Sequence, residues 1–155
     1  MKQSGKSTVF QQQTIITEHI AVTAGNSTCS LTVPAGKRWL MLGGTIGLET
    51  NATVGNRYVY MDVKGATAKR RFRIISKVAQ VANKDYDHMF VPQLPSASAI
   101  IEVGDRGFLE IGIPYPLILD TASTLIFGVL GGFAGDSFYS TAAMGLGLEF
   151  LEVDL

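Results

Sequence analysis

The residues that could bind a metal lie in one short segment of the chain. Asp85, Asp87 and His88 stand close together there, and carboxylate and imidazole groups are common metal ligands. The second histidine, His19, is distant in sequence, and no cysteine or histidine pair has metal-ligand spacing. The glycine pattern of a calcium loop is also missing. We therefore predict a solvated acidic turn at this segment, with no bound metal and no cofactor.

The sequence offers no marked catalytic group. Residues 5–8 read Gly-Lys-Ser-Thr, like the end of a phosphate-binding loop, but that motif needs an earlier glycine and a buried strand before it. No serine lies in a Gly-x-Ser-x-Gly turn, and no carboxylate pair carries a local feature that would raise its pKa. A small metal-dependent barrel enzyme would need more histidines than the two present. We therefore predict that the protein is not an enzyme.

Four cationic residues and one phenylalanine form a dense charge cluster. On a regular strand, alternation would put Lys69, Arg71 and Arg73 on one face. Arg70 and Phe72 would lie on the opposite face. Such a strip could contact nucleic acid or an acidic protein, or it could be a solvated face that discourages edge-to-edge aggregation. The formal net charge of zero favours a protein contact or a solvated face, and we predict no nucleic-acid partner.

The aromatic residues favour packing over ligand binding. The chain has eight Phe, five Tyr and one Trp, and a sugar-binding protein would use such rings as stacking platforms. Here they recur at strand spacing, which is typical of core and cross-strand packing. Small residues are frequent in 128–147 and would allow another chain to approach closely. We take three aromatic residues of this segment as candidate interface residues, together with the basic cluster: Phe133, Phe138 and Tyr139.

The composition fits one domain with a partly covered surface. A chain of 155 residues is long enough to bury a substantial core. Charged residues make up 17%, against about 25% in typical domains, as expected if a partner covers some surface or if buried strands are long. The single cysteine, Cys29, rules out an intramolecular disulfide and is predicted to pack as a small hydrophobe.

No segment predicts a membrane contact. The most apolar window, 121–134, is shorter than the roughly 20 residues of a membrane-spanning helix, and its glycines weaken any helix there. The lysines near the start of the chain are not followed by an apolar stretch of the kind found in signal peptides. We therefore expect synthesis in the cytoplasm and no membrane partner.

Short β-rich runs separated by turn residues dominate the chain. Residues 34–36 form a Pro-Ala-Gly turn, and 37–49 is a long strand candidate whose central Gly-Gly pair predicts a bend or bulge. About eight strands, with turn signals every 8–12 residues or slightly more, are typical of a sandwich or barrel. We predict an all-β, single-domain, jelly-roll-like sandwich or barrel over 11–155, preceded by a flexible arm at 1–10.

One stretch of the sequence resembles a known protein family. Residues 33–40 read Val-Pro-Ala-Gly-Lys-Arg-Trp-Leu, in which a Pro-x-Gly turn and a basic pair precede a tryptophan that opens an apolar strand. Residues 50–57, Thr-Asn-Ala-Thr-Val-Gly-Asn-Arg, and an alternating strand follow. Over residues 30–65 the chain resembles a recurrent β-domain of tailed-bacteriophage virion proteins, which occurs in capsid decoration proteins and in head or tail appendages.

The resemblance implies a jelly-roll-like domain on the virion that associates with itself, often as trimers at capsid three-fold positions. It brings no catalytic residues. We therefore expect a head-stabilising decoration protein on the capsid surface, with the major capsid protein or another virion protein as its partner. The alternative is a carbohydrate- or receptor-binding module of a phage tail or appendage, which an exposed aromatic cluster beside a calcium site would favour.

Overall fold

The computed structural model describes residues 12–20, 28–92, 100–103, 106–139 and 147–155. Every regular element in these ranges is a β-strand. The predicted arm at 1–10 lies outside the described residues. The strands are, in chain order, β1 (Gln13–Glu18), β2 (Thr28–Thr32), β3 (Lys37–Glu49), β4 (Tyr58–Lys64), β5 (Arg70–Ile75), β6 (Asp85–Pro92), β7 (Ile100–Val103), β8 (Arg106–Ile113), β9 (Leu117–Leu119), β10 (Thr124–Leu130), β11 (Ser137–Tyr139) and β12 (Gly147–Asp154).

The strands of the described chain form two sheets that pack face to face. The larger sheet has the order β1-β12-β3-β6-β8-β7, with β9 and β11 also paired to β3, and the smaller sheet has the order β2-β10-β4-β5. The rings of Phe90 on β6 and Phe127 on β10 meet edge to face, with centroids 5.2 Å apart, and so join the two inner faces. The predicted all-β sandwich is confirmed.

Eight of the strands have the connectivity of a jelly roll. Counted along the chain, β1 to β6, β10 and β12 are its first to eighth strands, so the two sheets read 1-8-3-6 and 2-7-4-5. All neighbours within this set are antiparallel, as in a double Greek key. With the remaining four strands, the described chain has more strands than the predicted number of about eight. Two of them, β9 and β11, have three residues each, which is too short to show alternation in the sequence.

The long strand β3 has the predicted bounds and the predicted bulge. Gly36 ends the preceding turn with a φ of +73°, a conformation that glycine adopts without strain. Gly43 and Gly44 have φ values of +138° and +136°, and the register between β3 and β12 shifts at this point. A Cβ on Gly44 would collide with the backbone of Gly147 on β12. Glycine therefore allows the central strand to bend while its neighbour stays paired.

The core lies between the sheets and follows the alternation of the strands. Trp39 and Met41 on β3 are buried, as are Val59 and Met61 on β4. The Trp39 ring stacks on Phe150 of β12 with centroids 4.7 Å apart. Because side chains alternate between the two faces of a strand, each inward residue leaves its neighbours on the outer face.

Replacing Gly44 with alanine should destabilise the fold strongly. The substitution combines an unfavourable φ with a collision against backbone, so we expect a loss of roughly 2–6 kcal/mol of unfolding free energy. Gly36→Ala is the matched control, because Gly36 has a positive φ but nothing within 4 Å of its Cβ position, and it should cost only about 1–2 kcal/mol. Urea unfolding measures both, and equal losses would contradict the close approach at the bulge.

Candidate interaction surface

An apolar row crosses the outer face of the larger sheet. Neighbouring residues in β1, β12, β3 and β9 point into the core, so alternation turns one residue of each strand outward. These four residues are consecutive cross-strand partners, and we call them the apolar row: Ile15, Leu151, Leu40 and Ile118. Ile15 is 68% exposed and Ile118 is 47% exposed, while Leu40 and Leu151 between them are partly exposed.

Charges of opposite sign border the apolar row on its two sides. Glu149 lies two residues before the row on β12, and Arg38 lies two residues before it on β3. Because β3 and β12 are antiparallel, these two residues fall on opposite sides of the row. Arg38 is exposed and its Nε lies 2.8 Å from Asp120, which also lies 4.0 Å from Arg71. On the outer face, one side of the row therefore carries the Glu149 carboxylate, and the other side carries the Arg38 guanidinium with its partner Asp120.

The arginine cluster departs from the predicted alternation. The register between β4 and β5 shifts, so that Arg71 is an extra residue on the β5 side and forms a bulge. Arg70 and Arg73 consequently reach the same carboxylate, that of Asp62. Arg71 is directed instead toward Asp120. The prediction that Arg71 and Arg73 share a face opposite Arg70 was wrong, because it assumed a regular strand.

A buried carboxylate binds two of the clustered arginines. Asp62 accepts hydrogen bonds of 2.6 and 2.7 Å from Arg73 and lies 3.2 Å from Nε of Arg70. The hydrogen bond from Arg73 holds the pKa of Asp62 below its usual range, although desolvation opposes this shift. The Arg73 guanidinium also lies 4.1 Å from the centroid of the Tyr60 ring, which itself packs against Gly128. The cluster is therefore a fixed stack on the outer face of the smaller sheet, with Arg70 still exposed at its edge.

A fully buried ion pair ties together the loop after β3 and the loop after β10. Arg57 and Asp136 have no exposed surface, and Nε and Nη2 of Arg57 lie 3.0 and 3.2 Å from the two carboxylate oxygens. Arg57 also donates to the carbonyl of Gly55 at 2.8 Å and to Oδ1 of Asn51 at 2.9 Å. The backbone N–H groups of Asn51 and Phe133 donate to Asp136 at 3.0 and 2.8 Å. Both charges are thus compensated by hydrogen bonds at a site that is shielded from solvent.

The electrostatics of this pair depend on both partners. Burial alone would raise the pKa of Asp136, but the hydrogen bonds from Arg57 and from the two backbone N–H groups hold it below its usual value. The carboxylate therefore stays ionised wherever the chain is folded near neutral pH. Removing either charge would leave the other buried without compensation, which is the costly way to break a buried pair.

The three aromatic candidates do not form a surface patch. Phe133 lies under the Arg57 guanidinium, whose Cζ is 4.6 Å from the ring centroid. Phe138 is buried in the core, so it cannot contact a partner while the chain is folded. Tyr139 donates its hydroxyl to Asp85. Phe133 and Tyr139 remain partly exposed, but each is already engaged by another part of the same chain.

The three candidate metal ligands lie on one strand, but they do not all point to the same face of it. Asp85, Asp87 and His88 belong to β6, so the predicted solvated acidic turn was wrong. His88 is buried, whereas Asp85 and Asp87 are partly exposed on the opposite face of the strand. Among the residues that the structure describes, no group of three or more potential ligands is arranged to hold a metal ion.

His88 is held neutral inside the sandwich. Its burial lowers the pKa of the imidazole to about 3, and its Nε2 lies 3.0 Å from Oε1 of Gln80. The amide nitrogen of Gln80 already donates to the carbonyls of Leu48 and Lys84, at 2.7 and 2.8 Å. The amide oxygen must therefore accept, which places the histidine proton on Nε2. Nδ1 has no hydrogen-bond partner among the described residues, so a second proton would be buried without compensation.

Cys29 behaves as the small hydrophobe that the sequence predicts. It lies on β2 and packs against the core. Burial raises the pKa of its thiol to about 12, so the reactive thiolate is not populated near neutral pH.

Sequence reasoning missed the apolar row because the row exists only through strand register. Its members come from positions 15, 40, 118 and 151 and meet across three strand pairings. One local signal was available. Residues 39–42 read Trp-Leu-Met-Leu, and a strand without polar alternation must expose apolar side chains on one face unless both faces are covered.

Comparisons with known proteins identify no relative of this chain. No protein-family model, curated protein or solved structure matches the chain. In the part of the chain that the structure describes, no helix has the length and apolar character needed to cross a membrane.

Neutralising the buried carboxylate should be far more harmful than neutralising an exposed one. Asp136→Asn leaves Arg57 charged and buried, and we expect a loss of about 3–5 kcal/mol in the free energy of unfolding. Asp120→Asn is the matched control, because Asp120 pairs with Arg38 at 2.8 Å in an exposed setting, and it should cost less than about 1 kcal/mol. Denaturant unfolding at neutral pH measures both, and similar costs would contradict the structural role of the buried pair.

Stability should fall as the pH is lowered below the ordinary pKa of histidine. The folded-state pKa of His88 is about 3, whereas the unfolded value is about 6.5, so the unfolded chain binds the extra proton between these limits. Between about pH 6.5 and about pH 5 the wild type should lose about 2 kcal/mol. This window lies above the titration of most carboxyl groups.

The variant His88→Gln isolates this contribution. Its side-chain amide can still donate to Gln80, and it has no group that titrates in the same range. Urea unfolding at several pH values should therefore give a shallower pH dependence for the variant than for the wild type. Parallel slopes for the two proteins would show that His88 is not the source of the acid sensitivity.

Proposed function

We propose that this protein is a non-enzymatic structural component of a virion, a decoration protein that stabilises a capsid by binding the shell and associating with itself. The observation that carries the proposal is the jelly-roll order of eight strands in a chain whose outer sheet face bears an exposed apolar row. Jelly rolls recur in viral capsid domains, and the resemblance over residues 30–65 points to tailed bacteriophages.

The physical properties of the sandwich suit such a role. A decoration protein has to withstand strain in the shell while holding neighbouring subunits together. Long antiparallel ladders around β3 resist bending, and the buried Arg57–Asp136 pair ties two loops to each other, where loops are commonly the less stable parts of a fold. A rigid domain of this kind transmits load between its contacts instead of deforming.

The proposed partners are the major capsid protein or another virion protein, together with further copies of this chain. We place the protein on the capsid surface after its synthesis in the host cytoplasm. Lys69 and Arg70 are exposed at the edge strand β5, so they offer a charged rim to an acidic partner. The apolar row lies on the other sheet and is available for a second, separate contact.

A carbohydrate- or receptor-binding module is the second candidate. The observation that favours it is a shallow depression of about 240 Å³ beside the end of β3, whose polar walls could bind sugar hydroxyls: Glu49, Thr50, Asn83, Lys84 and Asp85. None of the described residues that line it is aromatic. Tyr60 is covered by Arg73 and packs on Gly128, so it is not an open stacking platform.

The copy number of the protein on purified particles tests the proposal. Quantitative mass spectrometry should find the chain in an amount close to that of the major shell protein, because a decoration protein occupies repeated positions over the capsid. Particles washed at high salt are a useful control, since a specifically bound protein should remain at constant stoichiometry.

Two other outcomes would redirect the assignment. A handful of copies per particle would move the protein to a tail or vertex appendage and favour the receptor-binding candidate, which a glycan-array measurement would then test. Complete absence from particles would contradict the virion role altogether.

A further inference from the structure

We propose that the apolar row is the centre of a two-fold interface between two copies of this chain. The inference concerns the purified protein and does not depend on the virion role. The exposure of Ile15 and Ile118 means that no described segment covers the ends of the row. Four apolar side chains in register across four strands form a continuous strip, which is unlike the singly scattered apolar residues of an ordinary surface.

A second copy suits this strip because it brings the same strip. Two sheets pack face to face about 10 Å apart with their strands nearly aligned, and the side chains of the facing surfaces interdigitate. A two-fold axis places one patch against an identical patch. When the two rows face each other, the exposed apolar surface of both copies is buried together.

The flanking charges select the direction of the two-fold axis. If the axis runs parallel to the row, the strands of the second copy are reversed, and the side of the row that carries Glu149 faces the side that carries Arg38 of the second copy. This contact occurs twice by symmetry. Glu149 and Arg38 lie on adjacent strands, so they are offset by about 4.8 Å, which long charged side chains can span.

The alternative axis is disfavoured by the same charges. An axis parallel to the strands would bring the two Glu149 carboxylates together, and neither of them would face an Arg38 of the second copy. The arrangement with opposite charges is therefore the self-complementary one. It gives a closed dimer, which differs from the trimer that the family resemblance implies.

Sedimentation equilibrium of the purified full chain over a concentration series tests the proposal. The wild type should fit a monomer–dimer equilibrium. Ile15→Asp and Ile118→Asp should each weaken it at least about 30-fold, because each apolar residue is buried twice in a symmetric interface. Val54→Asp is the matched control, because Val54 is 89% exposed in a loop away from the row, and it should leave the dimer unchanged. Thermal melting of each variant checks that the fold is retained.

A charge exchange tests the direction of the axis without touching the apolar residues. Glu149→Lys alone and Arg38→Glu alone should each weaken the dimer several-fold, and the double variant should recover most of the wild-type affinity. The proposal is overturned if the wild type remains monomeric or forms a trimer, or if it forms a dimer that the aspartate variants leave intact. Failure of the double variant to recover would overturn the proposed axis. None of these results bears on whether the chain is present on particles.

Discussion

Alternation along the strands is the constraint on which the whole structure depends. Each side chain that enters the core obliges its neighbours to point away from it. In β3, Trp39 and Met41 are buried, and the residue between them, Leu40, is also apolar. A strand of this composition suits a position covered on both faces. The described chain covers only one face of this part of the sheet, so the sequence of β3 carries information about a surface as well as about the core.

The buried polar groups show how the fold stays specific while its outer face is apolar. Apolar contacts are weakly directional, and a strip of them could slide against a neighbour. Arg57 and Asp136 allow one arrangement of two loops, because their hydrogen bonds are satisfied only in that geometry. Gln80 and His88 fix a second point, where the amide oxygen of Gln80 accepts a hydrogen bond from Nε2 of the neutral imidazole. The buried polar contacts thus fix the geometry of the fold, whereas the exposed apolar row is less selective in what it can contact.

The fold class could be predicted from local patterns in the sequence, whereas the apolar row on the outer face could not. The bounds of β3 and the bulge at its glycine pair could be predicted because turn residues and paired glycines act locally. The side on which Arg70 lies depends on a one-residue bulge, and such an irregularity leaves no signature in a run of arginines. The burial of Phe138 depends on the pairing of a three-residue strand with β3. The apolar row depends on three separate registers, and strand pairing is not readable from one sequence.

The jelly-roll order also determines how the domain would respond to force. The chain enters β1 and leaves β12 at the same corner, because Gln13 lies opposite Val153 in an antiparallel pair. A pull between these two ends would load the backbone hydrogen bonds of the pair one after another, as in opening a zipper. A pull on the two sheet faces would instead act on the whole core at once. The domain is therefore mechanically strong when it is held by its faces and weak when it is held by its ends.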